Sequence, residues 1–249
     1  MGSIENAALL ALVAILPLVV LTLTSFVKLS VVLSLLRNAL GAPDAPSGLV
    51  VMGLSLVLTF FVMAPVAVQM TQAAATTPAP TKQPVPQQQP EPQPQPAAQQ
   101  QPAPQQPAAN GPSVAEALRT IVPAQYQPQL AAVERAVEPL RAFLGKHTRD
   151  LDRETFASLA KKLGNSATGD ELWVLAPAFI TTELREAFII AILIFIPFLV
   201  IDLIVGLSLA SLGLQSTSPQ TIALPLKLVL FVAVDGWRLL LDALLRGYV

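Results

Sequence analysis

Residues 186–212 read EAFIIAILIFIPFLVIDLIVGLSLASL, and this stretch decides the fold. Glu186 and Asp202 are separated by 15 uncharged residues, and a further 24 separate Asp202 from Lys227. A hydrocarbon core about 30 Å thick is crossed by roughly 20 apolar residues in a helix. Working outward, 22 uncharged residues lie between Glu5 and Lys28, and 37 between Asp44 and Lys82, of which Leu49–Val68 is the apolar part. The runs define four hydrophobic segments at 7–36, 48–70, 186–212 and 221–246. The expectation is an all-α integral membrane protein whose four hydrophobic helical segments form two helical hairpins.

Composition agrees. The 249 residues are 53% hydrophobic and 12% charged, against about 25% charged in a typical soluble domain. A net charge of -1 lacks the basic excess of a nucleic-acid binder. With no Cys, disulfide scaffolds, thiol catalysis and Cys-ligated metals are excluded. A single His147 removes most His-based metal and triad chemistry. There is no Gly-rich phosphate loop, HExxH or GxSxG. The reading is not an enzyme, with no cofactor, no metal and no nucleic-acid partner.

Ten of the fifteen basic and ten of the sixteen acidic residues fall between 71 and 185. Residues 78–107 hold eleven Pro and eleven Gln, which cannot build a core and predict a disordered, partly polyproline II spacer. An SH3-like or WW-like ligand usually has a neighbouring Arg or aromatic, and only Lys82 is near. Beyond it the pattern is helical and polar. Ser113 and Glu116 form a capping-box pattern, and Leu130, Val133, Val137, Leu140 and Leu144 share one face. A short helix begins near Asp152, with Leu159 and Leu163 on one side, and ends at Gly164-Asn165. His147, in Lys146-His147-Thr148-Arg149, reads as a surface residue. Domain organisation follows: 1–75, first hydrophobic pair; 76–112, Pro/Gln linker; 113–185, a small helical extracytoplasmic domain; 186–249, second hydrophobic pair. Lys28 and Arg37, balanced by Asp44, put the first short loop in the cytoplasm and hence 76–185 in the periplasm, whereas Arg238 and Arg246 point the other way. The leader Met1–Asn6 carries Glu5 and no Lys or Arg, so the first segment reads as an uncleaved membrane helix.

Lys28, Asp202, Lys227 and Asp235 lie in apolar surroundings, where an ionisable group costs a few kcal/mol unless paired, wet or buried in protein. Lys227 and Asp235 are eight apart and would share one helix face. Each group is either a relay or a structural ion pair, and the absence of a chain of such groups favours the pair. Pro17, Pro65, Pro197 and Pro225 interrupt the same segments and suit helices packed on protein.

Ser25-Phe26-Val27-Lys28 with Val32-Leu33-Ser34-Leu35-Leu36-Arg37-Asn38-Ala39-Leu40-Gly41 resembles the N-terminal signature of the FliP/SctR family, inner-membrane export-gate proteins of flagellar and injectisome type III secretion. Pro139-Leu140-Arg141, Lys146-His147-Thr148 and Asp152 resemble its soluble domain. Pro177-Ala178-Phe179, Glu183-Leu184 and Ala187-Phe188, then Ile194–Leu203, Leu224-Pro225-Leu226-Lys227, Leu230-Phe231-Val232 and Asp235-Gly236-Trp237, are similar to its later segments. The resemblance implies a ring of five copies joined by two smaller export-gate membrane proteins, through which unfolded polypeptides cross the bacterial inner membrane. It implies that Lys28, Arg37, Asp202, Lys227 and Asp235 make intersubunit or interhelical polar contacts. It places Leu214, Gln215, Ser216 and Thr217 at the pore, where family members usually carry consecutive Met residues. Gln and Ser cannot form the same soft seal. The unconvincing signal peptide leans the reading towards an injectisome. The alternative is an independent small-solute transporter or ion channel, which would show a mid-membrane site and internal repeat symmetry. The two pairs of segments show no clear mutual similarity.

Overall fold

A computed structural model describes residues 21–41, 47–75, 127–165, 167–214 and 216–248. The first part of segment 7–36, Pro17, the Pro/Gln linker, the Ser113–Glu116 capping pattern and Gln215 lie outside the described residues. The described chain is all-α. In order, the helices are α1 (Phe26–Leu40), α2 (Gly48–Ala75), α3 (Gln127–His147), α4 (Asp150–Lys162), α5 (Leu172–Ser211), α6 (Pro219–Ala233) and α7 (Gly236–Arg246).

α1 forms the centre of the packing. Its buried residues Leu29, Val32, Leu33, Leu36 and Leu40 recur at three and four, one helical face. That face meets Val51 of α2, Ala187 and Phe198 of α5, Phe231 of α6, and Leu240 and Leu244 of α7. Gly41 ends α1 at φ 74, the left-handed conformation that Gly adopts without a Cβ clash, and its N–H donates to Asn38 O at 3.1 Å.

α2 has 28 residues and α5 has 40, so at 1.5 Å per residue they span about 42 and about 60 Å. Both are long and apolar enough to cross a membrane. Only a thin stripe of α2 is buried, formed by Val51, Ser55, Thr59 and Val66. Ser55 and Thr59 donate back to the carbonyls of Val51 and Ser55, at 2.8 and 2.6 Å, so no hydroxyl is left facing apolar surroundings. α5 continues through Pro177 and Pro197. It begins well before the charge-free run and crosses residue 185 without a break.

The polar helices gather at one end of α5. Leu140, Phe143 and Leu144 of α3 pack on Leu175 and Phe179 of α5 and Val66 of α2. Arg135 Nε donates to Ala73 O at 3.3 Å, satisfying one of the last α2 carbonyls, which have no intrahelical partner. α4 carries Asp150 and Asp152 in its first turn and Lys161 and Lys162 in its last, matching the helix dipole. Gly164 at φ 85 ends it. Its buried side is Asp152 and Ala160 with Phe156 packed alongside, whereas Leu159 and Leu163, expected to share a packed face, are exposed. Val133 is likewise exposed.

Candidate functional site: two buried ion clusters and a helical turn

The first cluster joins three helices. Lys227 of α6 is 5% exposed, and its Nζ donates to Asp202 Oδ2 of α5 at 2.6 Å and to Ala39 O of α1 at 3.0 Å. Ala39 is in the last turn of α1, so its carbonyl has no intrahelical donor. Lys227 thus caps α1 while neutralising Asp202. A cation at a helix C-terminus also opposes the negative end of the dipole.

Asp235 does not join Lys227. The chain leaves the helix at Asp235, which adopts φ 52 and is exposed, with no ion pair among the described residues. The eight-residue spacing assumed a single helix from 221 to 246, and the break turns α7 to a new direction. Gly236 follows because a Cβ there would come within 2.3 Å of the Phe231 ring. Arg37 is partly buried beside Gly48 and lines an apolar hollow with Leu33, Val51 and Trp237.

The second cluster surrounds Lys28 of α1, 1% exposed. Its Nζ lies 2.6 Å from Glu186 Oε2 and 3.2 Å from Glu183 Oε1, both on α5. The Tyr248 hydroxyl, beyond α7, donates to Glu183 Oε2, and Nζ stands 4.1 Å from the centre of the Tyr248 ring, a cation–π contact. None of Glu183, Glu186 and Tyr248 was picked out from the sequence as a partner of Lys28. The readable signal was Glu183 and Glu186 at i and i+3, one acidic face at the edge of an apolar run.

The surrounding polar groups fix the end where α3 and α4 pack on α5. Thr182 Oγ1 donates to the buried Asp152 Oδ2 at 2.7 Å and accepts from Arg149 N at 3.2 Å. Before α5, Glu171 accepts from Thr168 N, Thr168 Oγ1 and Gly169 N, each at 3.0 Å. Burial alone would raise its pKa, but these donors hold the carboxyl below its ordinary value. His147 is not the free surface residue expected. It is half-buried, with Nδ1–H donating to Phe143 O at 2.8 Å.

Of the predicted pore residues, Leu214, Ser216 and Thr217 lie in the exposed turn between α5 and α6. Leu214 N donates to Leu209 O at 3.0 Å and Thr217 N to Leu214 O at 3.2 Å, closing the turn around Gly213 at φ 71. Among the described residues no three His, Cys, Asp or Glu side chains are grouped to hold a metal ion. Lys28, Glu183, Glu186, Asp202 and Lys227 are spent on one another, an arrangement that fastens helices.

The FliP family profile matches residues 9–244. The flagellar biosynthetic protein FliP of Pectobacterium carotovorum subsp. carotovorum is 38% identical over 249 residues, covering 99% of this chain and 79% of that protein. The hypersensitivity response secretion protein HrcR of Ralstonia nicotianae is 34% identical over 256 residues, covering 100% of both chains. The flagellar protein FliP of Bacillus subtilis is 31% identical over 248 residues, covering 99% of this chain and 92% of that protein. These matches take in every helix that carries the two ion clusters, and the chain belongs to the FliP family of non-catalytic, inner-membrane export-gate subunits of type III secretion.

Proposed function

We propose that this chain is the ring-forming core subunit of the gate, five copies closing around a path for unfolded polypeptides together with two smaller membrane proteins. One observation carries the reading beyond family membership: Lys28, Glu183, Glu186, Asp202 and Lys227 of the apolar helices are paired with one another between helices, while the outer faces of α2 and α5 are apolar. Ile192, Leu193, Leu203 and Leu207 of α5 and Phe60 and Phe61 of α2 are each at least 60% exposed in a single chain. Exposed apolar surface on this scale requires lipid or other subunits to cover it. α1 with α2, and α5 with α6, supply the two hairpins. Residues 76–185 stand on the periplasmic side, the turn Leu214–Thr217 lines the constriction, and Asp202, Lys227, Lys28, Arg37 and Asp235 serve as fasteners within and between subunits.

The test is the native mass of the protein extracted gently from membranes. Five copies of 26.4 kDa come to roughly 130 kDa before partners and detergent, as expected of a closed ring. A monomer or dimer that persists with the neighbouring membrane proteins co-expressed would overturn the ring and favour the small-solute transporter.

A further inference from the structure

The Lys28 cluster has a part that helix fastening does not require. Tyr248 reaches it from the tail after α7 and touches three other elements at once. It bonds Glu183 of α5, covers Lys28 of α1, and stacks on Phe143 of α3 with ring centres 6.2 Å apart and 13° between planes. Gly247 allows the approach, since a Cβ there would lie 3.1 Å from Lys28 Nζ. His147 completes the nest, its ring centre 5.5 Å from Tyr248 and 4.3 Å from Phe143. Its Nδ1 is committed to Phe143 O, and its Nε2 is buried with no hydrogen-bond partner among the described residues.

We propose that the tail at Tyr248 is an acid-released clasp, holding the end of α3 against α1 and α5 when His147 is neutral and letting go when His147 takes up a proton. The groups facing His147 set the direction. Lys28 of α1 and Lys146 of α3 both oppose a second cation, and Arg153 of α4 donates to Gly145 O at 3.0 Å, two residues away. On α5, Glu183 and Glu186 are already engaged by Lys28 and, for Glu183, by the phenol. The Phe143 carbonyl of α3 and, less, the Tyr248 backbone on the tail favour the charged ring, but burial and the two lysines outweigh them. An imidazolium at this place would carry a charged, buried Nε2–H with no acceptor among the described residues, and water is its better environment. Burial, helped by the two lysines, holds His147 below its ordinary 6.5. A histidine depressed in the docked state contributes its full stability above the unfolded value of 6.5 and loses it as pH falls through the docked value.

The chain has two tyrosines, so fluorotyrosine incorporation with Tyr126→Phe leaves Tyr248 as the only reporter. Fluorine NMR of the full-length, detergent-extracted protein is recorded from about pH 8 to about pH 5, the range that histidine spans. The expected result is a docked signal at high pH, distinct from free fluorotyrosine, that gives way to the solvent position as pH falls. His147→Gln, which cannot charge, keeps the docked signal to a pH at least one unit lower, a tenfold change in proton concentration. His147→Phe, which keeps a packed ring, does the same and covers a folding failure of the glutamine variant. A signal at the solvent position throughout, a docked signal unmoved down to pH 5, or an unchanged midpoint in the folded His147 variants would each overturn the proposal.

Discussion

Replacing Asp202 with leucine is expected to destabilise the chain more than its partial exposure suggests. The carboxylate side chain is 37% exposed, but its partner Lys227 is 6% exposed and cannot follow it to solvent. Without Asp202 the ammonium keeps, among the described residues, only Ala39 O at 3.0 Å. Removing one partner of a buried pair costs about 3–5 kcal/mol, because the other charge is left uncompensated. Ala39 O and the screening of Asp202 reduce this to about 3 kcal/mol. For a chain of this length each kcal/mol moves Tm by about 2–4 °C, so Asp202→Leu should lower it by about 6–12 °C. Lys227→Met leaves a carboxylate with some access to solvent and uncaps α1, and should cost about 2–3 kcal/mol. The double variant removes both charges and leaves only the Ala39 carbonyl unsatisfied. It should recover on the order of 2 kcal/mol relative to the sum of the single variants. The assay is thermal unfolding of the four detergent-extracted proteins, followed by tryptophan fluorescence. Additive losses, or single variants that melt with the wild type, would refute the reasoning, because the pair would then carry no coupling.

Deleting residues 78–107 should leave assembly unchanged, since no core can form from that composition; loss of the native complex would make the segment a binding element. Gln215→Met with Ser216→Met should reduce ion leak through the closed pore, since Met packs softly around irregular surfaces. Unchanged or greater conductance in planar bilayers would remove the turn from the constriction. Gly236→Ala should cost about 1–3 kcal/mol by forcing the Phe231 ring to move, because a Cβ would lie 2.3 Å from it; a thermal midpoint equal to wild type would show that the ring relaxes freely.

The sequence made the long helices legible because charge-free runs are a one-dimensional signal; α2 and the part of α5 from residue 186 on follow from length and hydropathy, whereas the first turns of α5, from Leu172, carry charges and read as part of the preceding domain. The start of α4 was legible for the same kind of reason: acids in the first turn and lysines in the last are local. Pairing was not. Lys227 was matched by spacing with Asp235, yet its partner is Asp202, twenty-five residues back across the turn. Helix periodicity holds only where the helix continues, and the local sign of a break, the turn-favouring Asp235-Gly236 pair, stands inside an apolar run that reads as one helix. His147 was misplaced for a related reason. Lys146 and Arg149 beside it in sequence are basic and exposed, while its neighbours in space include Tyr248, a hundred residues on. The exposed Leu159 and Leu163 show a further limit, since an amphipathic pattern marks a face that can be covered without saying that this chain covers it.

The two ion clusters together explain how a chain so apolar keeps a single arrangement of its helices. Hydrophobic contact between uniform apolar helices is permissive, because one register of Leu and Ile against another differs little in area. Charges are not permissive, because each buried one must find its partner. Lys28 lies at the start of α1 and Ala39 at its end, about 16 Å apart at 1.5 Å per residue. The first is held to Glu183 and Glu186 in the earlier half of α5, the second through Lys227 to Asp202 in the later half. α1 is therefore pinned at both ends and runs in the same direction as α5. Rotating or sliding either helix by one residue would strand at least one charge at a cost of several kcal/mol. A register set in this way is complete within one chain, which frees the outer apolar faces of α2 and α5 to meet lipid or neighbouring subunits without deciding how the subunit itself folds.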